Sequence, residues 1–116
     1  MKKLLVFLAL LIASPAFAQT TPQGRGTVNG SVVIVTGNTF QTVLAANPRR
    51  LSLTIQNNNA SDSCWLFIGP LASATKGTSI LLATGQSYAR YYPYLPSDVI
   101  AATCAANSDT LYVDTQ

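Results

Sequence analysis

Leu51, Leu53 and Ile55 alternate with Ser52, Thr54 and Gln56, the period-two pattern of a half-buried strand. Upstream, Phe40, Thr42 and Leu44 fall on one side of an extended Thr39–Leu44 segment, with Gln41 and Val43 on the other. Val32-Val33-Ile34-Val35 is an unbroken β-branched run between Gly30 and Gly37-Asn38, which predicts a buried strand followed by a turn. Asn47-Pro48 and the polar run Asn57 to Ser63 are turn signals, and Cys64 to Ile68 is a compact apolar strand ending at Gly69-Pro70. Ala72 to Thr78 is small and polar and predicts a surface loop. Ile80-Leu81-Leu82 then leads through Thr84-Gly85 into Ser87 to Tyr92, which sets Tyr88, Arg90 and Tyr92 on one face before Pro93 and Pro96 end it. Val99 to Cys104 and Leu111 to Val113 supply the last two strands, joined by a turn at Asn107-Ser108-Asp109.

About eight short strands with turn signals between them, and no amphipathic helix among them, predict an all-β fold. The expected architecture is a single antiparallel β-sandwich of jelly-roll or immunoglobulin-like order, and the pattern does not choose between the two. Trp65 directly follows Cys64, so on a strand the two side chains point to opposite faces. That differs from the immunoglobulin pattern, where the core Trp stands apart from both cysteines.

The first 18 residues follow a different rule. A basic start, Met1-Lys2-Lys3, precedes an apolar run from Leu4 to Ala13, and small residues surround Ala16-Phe17-Ala18 after Pro15. This reads as a cleavable signal helix at residues 1–18, since the apolar run is shorter than the roughly 20 residues that cross a bilayer. Residues 19–30, rich in Thr, Gln, Gly and Asn, are expected to form a flexible arm, and 31–116 the β-sandwich domain. The expected location is secreted or periplasmic, or the surface of a cell or virion.

Removing the leader changes the charge and frames the cysteines. Lys2 and Lys3 depart, leaving Arg25, Arg49, Arg50, Lys76 and Arg90 against Asp62, Asp98, Asp109 and Asp114. A nearly neutral domain gives no electrostatic ground for binding nucleic acid or, after cleavage, a membrane surface. Cys64 and Cys104 are an even count in a small exported domain, which predicts a disulfide; two buried free thiols are the alternative.

The chain contains no histidine and no glutamate, which removes the commonest general base and half of the carboxylate types. Its aspartates stand singly in turns without calcium-loop spacing, and two cysteines without histidine do not complete a zinc site. No enzyme, metal or cofactor is expected. Gly24-Arg25-Gly26 and Lys76-Gly77-Thr78 lack the spacing and the strand-to-helix setting of phosphate loops. The feature with binding potential is the aromatic stretch around Tyr88. Arg90, Tyr91, Tyr92 and Tyr94 are the candidate contacts, for a protein surface or a glycan, against the alternative that the tyrosines only cover the core.

The run from Leu44 through Asn47-Pro48-Arg49-Arg50 to Gln56-Asn57, with Leu82 to Ser87 and the closing Thr110-Leu111-Tyr112-Val113, resembles small β-sandwich proteins encoded by bacteriophages and phage-like regions. Many of these are uncharacterised and some are virion-associated. The resemblance covers most of residues 31–114 and implies a sandwich and a structural role in a particle, through self-association or contacts with other structural proteins. The residues explain the pattern without the family: Asn47-Pro48 sets a turn, Arg49 and Arg50 keep a strand start soluble, and Asn57 caps its strand by bonding nearby backbone. The leader and the cysteine pair depart from the phage pattern.

Overall fold

The computed structural model describes residues 28–116, with side chains from Gly30 onward. The expected signal peptide, and the arm up to residue 27, lie outside the described residues. The strands are β1 (Val28–Ile34), β2 (Gln41–Leu44), β3 (Ser52–Asn57), β4 (Cys64–Ile68), β5 (Ile80–Leu82), β6 (Ser87–Tyr91), β7 (Ile100–Cys104) and β8 (Asp109–Thr115). They form two four-stranded antiparallel sheets, ordered β1-β8-β3-β6 and β2-β7-β4-β5. Among the described strands, only β4 and β5 follow each other within one sheet; every other connection crosses between sheets. That order is a jelly roll, and it excludes the immunoglobulin alternative.

Alternation builds the core. Ile34, Leu53, Ile55, Leu111 and Val113 point inward from the first sheet and meet Leu66, Leu82, Ile100, Ala102 and the two cysteines of the second. The alternating strand expected at 51–56 is present, shifted by one residue. Leu53, Ile55 and Asn57 are its buried positions, while Leu51 lies outside the strand and is exposed.

Three other expectations are corrected. The valine run at 32–35 is not buried throughout: β1 is an edge strand, so Ile34 is buried while Val33 and Val35 face solvent. β1 also starts at Val28, so residues 28–30 of the expected arm belong to the sandwich. In β2 a bulge between Thr42 and Leu44 breaks the alternation, which turns both Val43 and Leu44 to the core.

At one end of the sandwich the chain passes between sheets under close constraint. The disulfide joins Cys64 and Cys104, which face each other across β4 and β7, with both side chains buried. Beside it the Asn57 amide uses its full capacity. Its Nδ2 donates to the carbonyls of Asp62 (2.7 Å) and Leu82 (2.9 Å), and its Oδ1 accepts from the backbone N–H (3.0 Å) and Nδ2 (2.7 Å) of Asn59. Asn59 in turn accepts the N–H of Thr110 at 2.8 Å and sets its Nδ2 at 3.3 Å from the Cys64 sulfur. The β1–β2 and β7–β8 turns also lock here: Gly37 and Asn38 donate backbone N–H groups to Asn107 Oδ1 and the Cys104 carbonyl. A Cβ on Gly37 would lie 2.7 Å from the Ala106 carbonyl carbon, so only glycine permits the approach.

Asn57→Ala strands the buried carbonyl of Leu82, the part-buried carbonyl of Asp62 and the N–H of Asn59. It should lower unfolding stability by about 2–4 kcal/mol in urea titrations of the oxidised chain, with an unchanged m-value.

Candidate functional site

The tyrosine stretch lies at the opposite end of the sandwich, where β6 leaves its sheet. Tyr88 sits opposite Ile55 of β3 and packs on the core. The Arg90 guanidinium lies 4.6 Å from the Tyr88 ring centroid, and its Nη1 donates to the Ala89 carbonyl at 3.0 Å. Arg90 therefore covers Tyr88.

Tyr91, Tyr92 and Tyr94 do not cover the core. They are 64%, 75% and 81% exposed, and Leu51, whose carbonyl accepts the Tyr92 N–H at 3.1 Å, is 46% exposed. β6 ends at Tyr91; the Tyr92–Pro93 bond is cis, and Tyr94 donates its N–H back to the Tyr91 carbonyl at 2.9 Å.

Beneath this surface lies Arg50. The expectation that Arg49 and Arg50 merely keep a strand start soluble fails for Arg50, which is buried. Its Nη1 donates to the Pro96 carbonyl at 2.6 Å and its Nη2 to that of Ala45 at 3.0 Å, which ties the β2–β3 connection to the β6–β7 connection. The N–H of Asn47 reinforces the tie by donating to Ser97 at 2.8 Å, and Asn47 Oδ1 accepts the Arg49 N–H, closing the expected turn. Desolvation lowers the Arg50 pKa below its ordinary value, while the two carbonyls favour the charge. The loop that carries Tyr92 and Tyr94 is held by backbone bonds that one planar fork satisfies.

Chemically this end offers aromatic faces, phenol hydroxyls and a few carbonyls on an open surface. No cavity, and no group of three or more His, Cys or Asp side chains able to hold a metal, occurs among the described residues. The sequence brought Tyr91, Tyr92 and Tyr94 forward and missed both Leu51 and Arg50.

The outer face of the second sheet is occupied differently. Lys76, in the β4–β5 connection, places its ammonium 3.8 Å from the Trp65 ring centroid and donates to Asn38 Oδ1. The expected surface loop, which contains two short 3-10 turns at Leu71–Ser73 and Lys76–Thr78, thus folds across the sheet. Ala101 and Thr103, on that face, are buried.

No family model matches the chain, and no curated protein does. One solved chain, described as "Bacillus endospore appendages form a novel family of disulfide-linked pili", is similar at 18% identity and a TM-score of 0.44, over 77% of this chain and 84% of that one. A likeness at that level carries no argument about this chain. No helix among the described residues is long and apolar enough to cross a membrane.

Two measurements check this geometry. Arg50→Ala removes both tethers and should cost about 1–3 kcal/mol in denaturant unfolding. Lys76→Ala uncovers the single tryptophan, so its emission should shift to longer wavelength and acrylamide quenching should rise, with the melting temperature nearly unchanged.

Proposed function

We propose that this is a non-enzymatic, exported structural domain that works through protein–protein contacts, as a subunit of an extracellular filament or array or of a virion surface. The observation that carries the reading is the cluster of Leu51, Tyr91, Tyr92 and Tyr94, which stands in solvent on a loop fixed from below by Arg50. Exposed aromatics on a rigid support lose little entropy on contact and are the usual anchors of interfaces. The buried disulfide supports the compartment, since such bonds persist where the surroundings are oxidising. The leader pattern at residues 1–18 supports the same location. The phage-like pattern of residues 31–114 supports the virion form of the role.

Sedimentation velocity of the exported chain over a wide concentration range tests this. Wild type should assemble, and the combined Tyr91→Ser, Tyr92→Ser, Tyr94→Ser variant should weaken assembly by about tenfold or more while keeping its melting temperature. A chain that stays monomeric throughout and joins no particle or filament in electron micrographs overturns the reading. Glycan-array binding that the same variant abolishes, in a chain that does not self-associate, would replace it with a carbohydrate-binding role.

A further inference from the structure

A two-sheet sandwich leaves four edge strands, and here they are protected unequally. β2 is four residues long and bulged, β5 has three residues, and β6 carries Arg90, whose side chain occupies the Ala89 carbonyl. β1 is seven residues long, Val-Asn-Gly-Ser-Val-Val-Ile, without charge, proline or bulge. Those are the devices that ordinarily keep an edge from pairing.

The direction of the free groups on β1 follows from its partners. Ile34 accepts from Ser108 on the β8 side, while Val33 and Val35 are bonded from the other side by the Gln41 side chain. Gln41 Nε2 donates to the Val33 carbonyl at 2.8 Å, and its Oε1 accepts the Val35 N–H at 3.0 Å, as a neighbouring strand would. Backbone groups alternate along a strand, so Asn29 and Ser31 also point to this outer edge. Among the described residues nothing covers them.

Gly30 adds a second observation. It has no left-handed φ, and a Cβ built on it would meet nothing within 4 Å, so the domain itself does not require glycine there. A glycine inside a strand often marks the close approach of another backbone.

We infer that the β1 edge pairs with β1 of a second copy of this chain, antiparallel about a two-fold axis at Gly30. Asn29 then exchanges both backbone bonds with the partner's Ser31, and the axis repeats the exchange. The register leaves the bonds of Gln41 intact, and the uncharged edge meets its own copy without repulsion. The two copies of the first sheet become one continuous sheet through an isologous contact. A self-complementary edge selects this occupant, because the same stretch supplies both strands. The inference rests on the assembly role proposed above and adds a contact distinct from the tyrosine end.

Ser31→Pro removes an outward N–H and leaves the β8 ladder alone, and Ser31→Lys places a charge at the same edge. Both should keep wild-type circular dichroism and melting temperature and raise the dimer dissociation constant by more than about tenfold. In wild type, hydrogen exchange at the Asn29 and Ser31 amides should slow as concentration rises; in Ser31→Pro the Asn29 amide should lose that dependence. If the tyrosine variant dissociates while both Ser31 variants assemble as wild type, this inference falls and the proposed function stands. A chain monomeric at every concentration overturns this inference, and one that also joins no particle or filament overturns both.

Discussion

The amide of Asn57 closes the sandwich on which everything else is mounted. Nearly every connection crosses between the sheets, and each crossing leaves backbone groups at the rim, away from any ladder partner. Asn57 ends β3 in one sheet, bonds Leu82 in the other, and fixes the loop that leads to Cys64. The disulfide beside it joins β4 to β7 but not the two sheets, so covalent and polar closure divide the work. The cystine constrains the unfolded chain, and the amide selects how the sheets face. Such a network specifies one arrangement only because every member is satisfied.

Arg50 does at the other end what Asn57 does here, with a different chemistry. A short amide suits groups that the rim brings close together; two carbonyls on separate loops need a longer planar fork. The consequence is functional. The loop that carries Tyr92 and Tyr94 into solvent is tied at Pro96 and Ser97 to the β2–β3 connection, which limits how far it can collapse onto the domain.

The strands were legible because period-two alternation survives wherever one face is covered, as at Leu53 and Ile55. Apolar runs misled where an edge intervened: Val33 and Val35 look like core in sequence, but burial also depends on which strands lie alongside, and that is a property of the whole topology. The bulge in β2 was hidden for the same reason, since one extra residue leaves no local mark. Asn57 was legible as a cap through its bond to Asn59, but its reach to Leu82, 25 residues away, was not. Arg50 read as a solubilising charge because arginine is ordinarily exposed; its burial depends on two carbonyls brought from 5 and 46 residues away. The three tyrosines stood out in sequence as a dense aromatic stretch beside two prolines, and their exposure, against the packing of Tyr88 on the core, is visible only in the fold.

The two sheets are finished to different degrees. The outer face of the second sheet is covered by its own β4–β5 connection, through Lys76 on Trp65, and its edge strands are short or bulged. The first sheet keeps a long uncharged edge at β1 and ends beside the exposed tyrosines at β6. Covering one face costs conformational freedom in a long loop, a cost with no return if the domain acts alone through any surface. It has a return if association must run through one sheet, because a second open face would admit competing contacts and broken symmetry. The cover is thus unequal: Lys76 of the β4–β5 connection lies on Trp65 of the second sheet, while the first sheet keeps the open β1 edge.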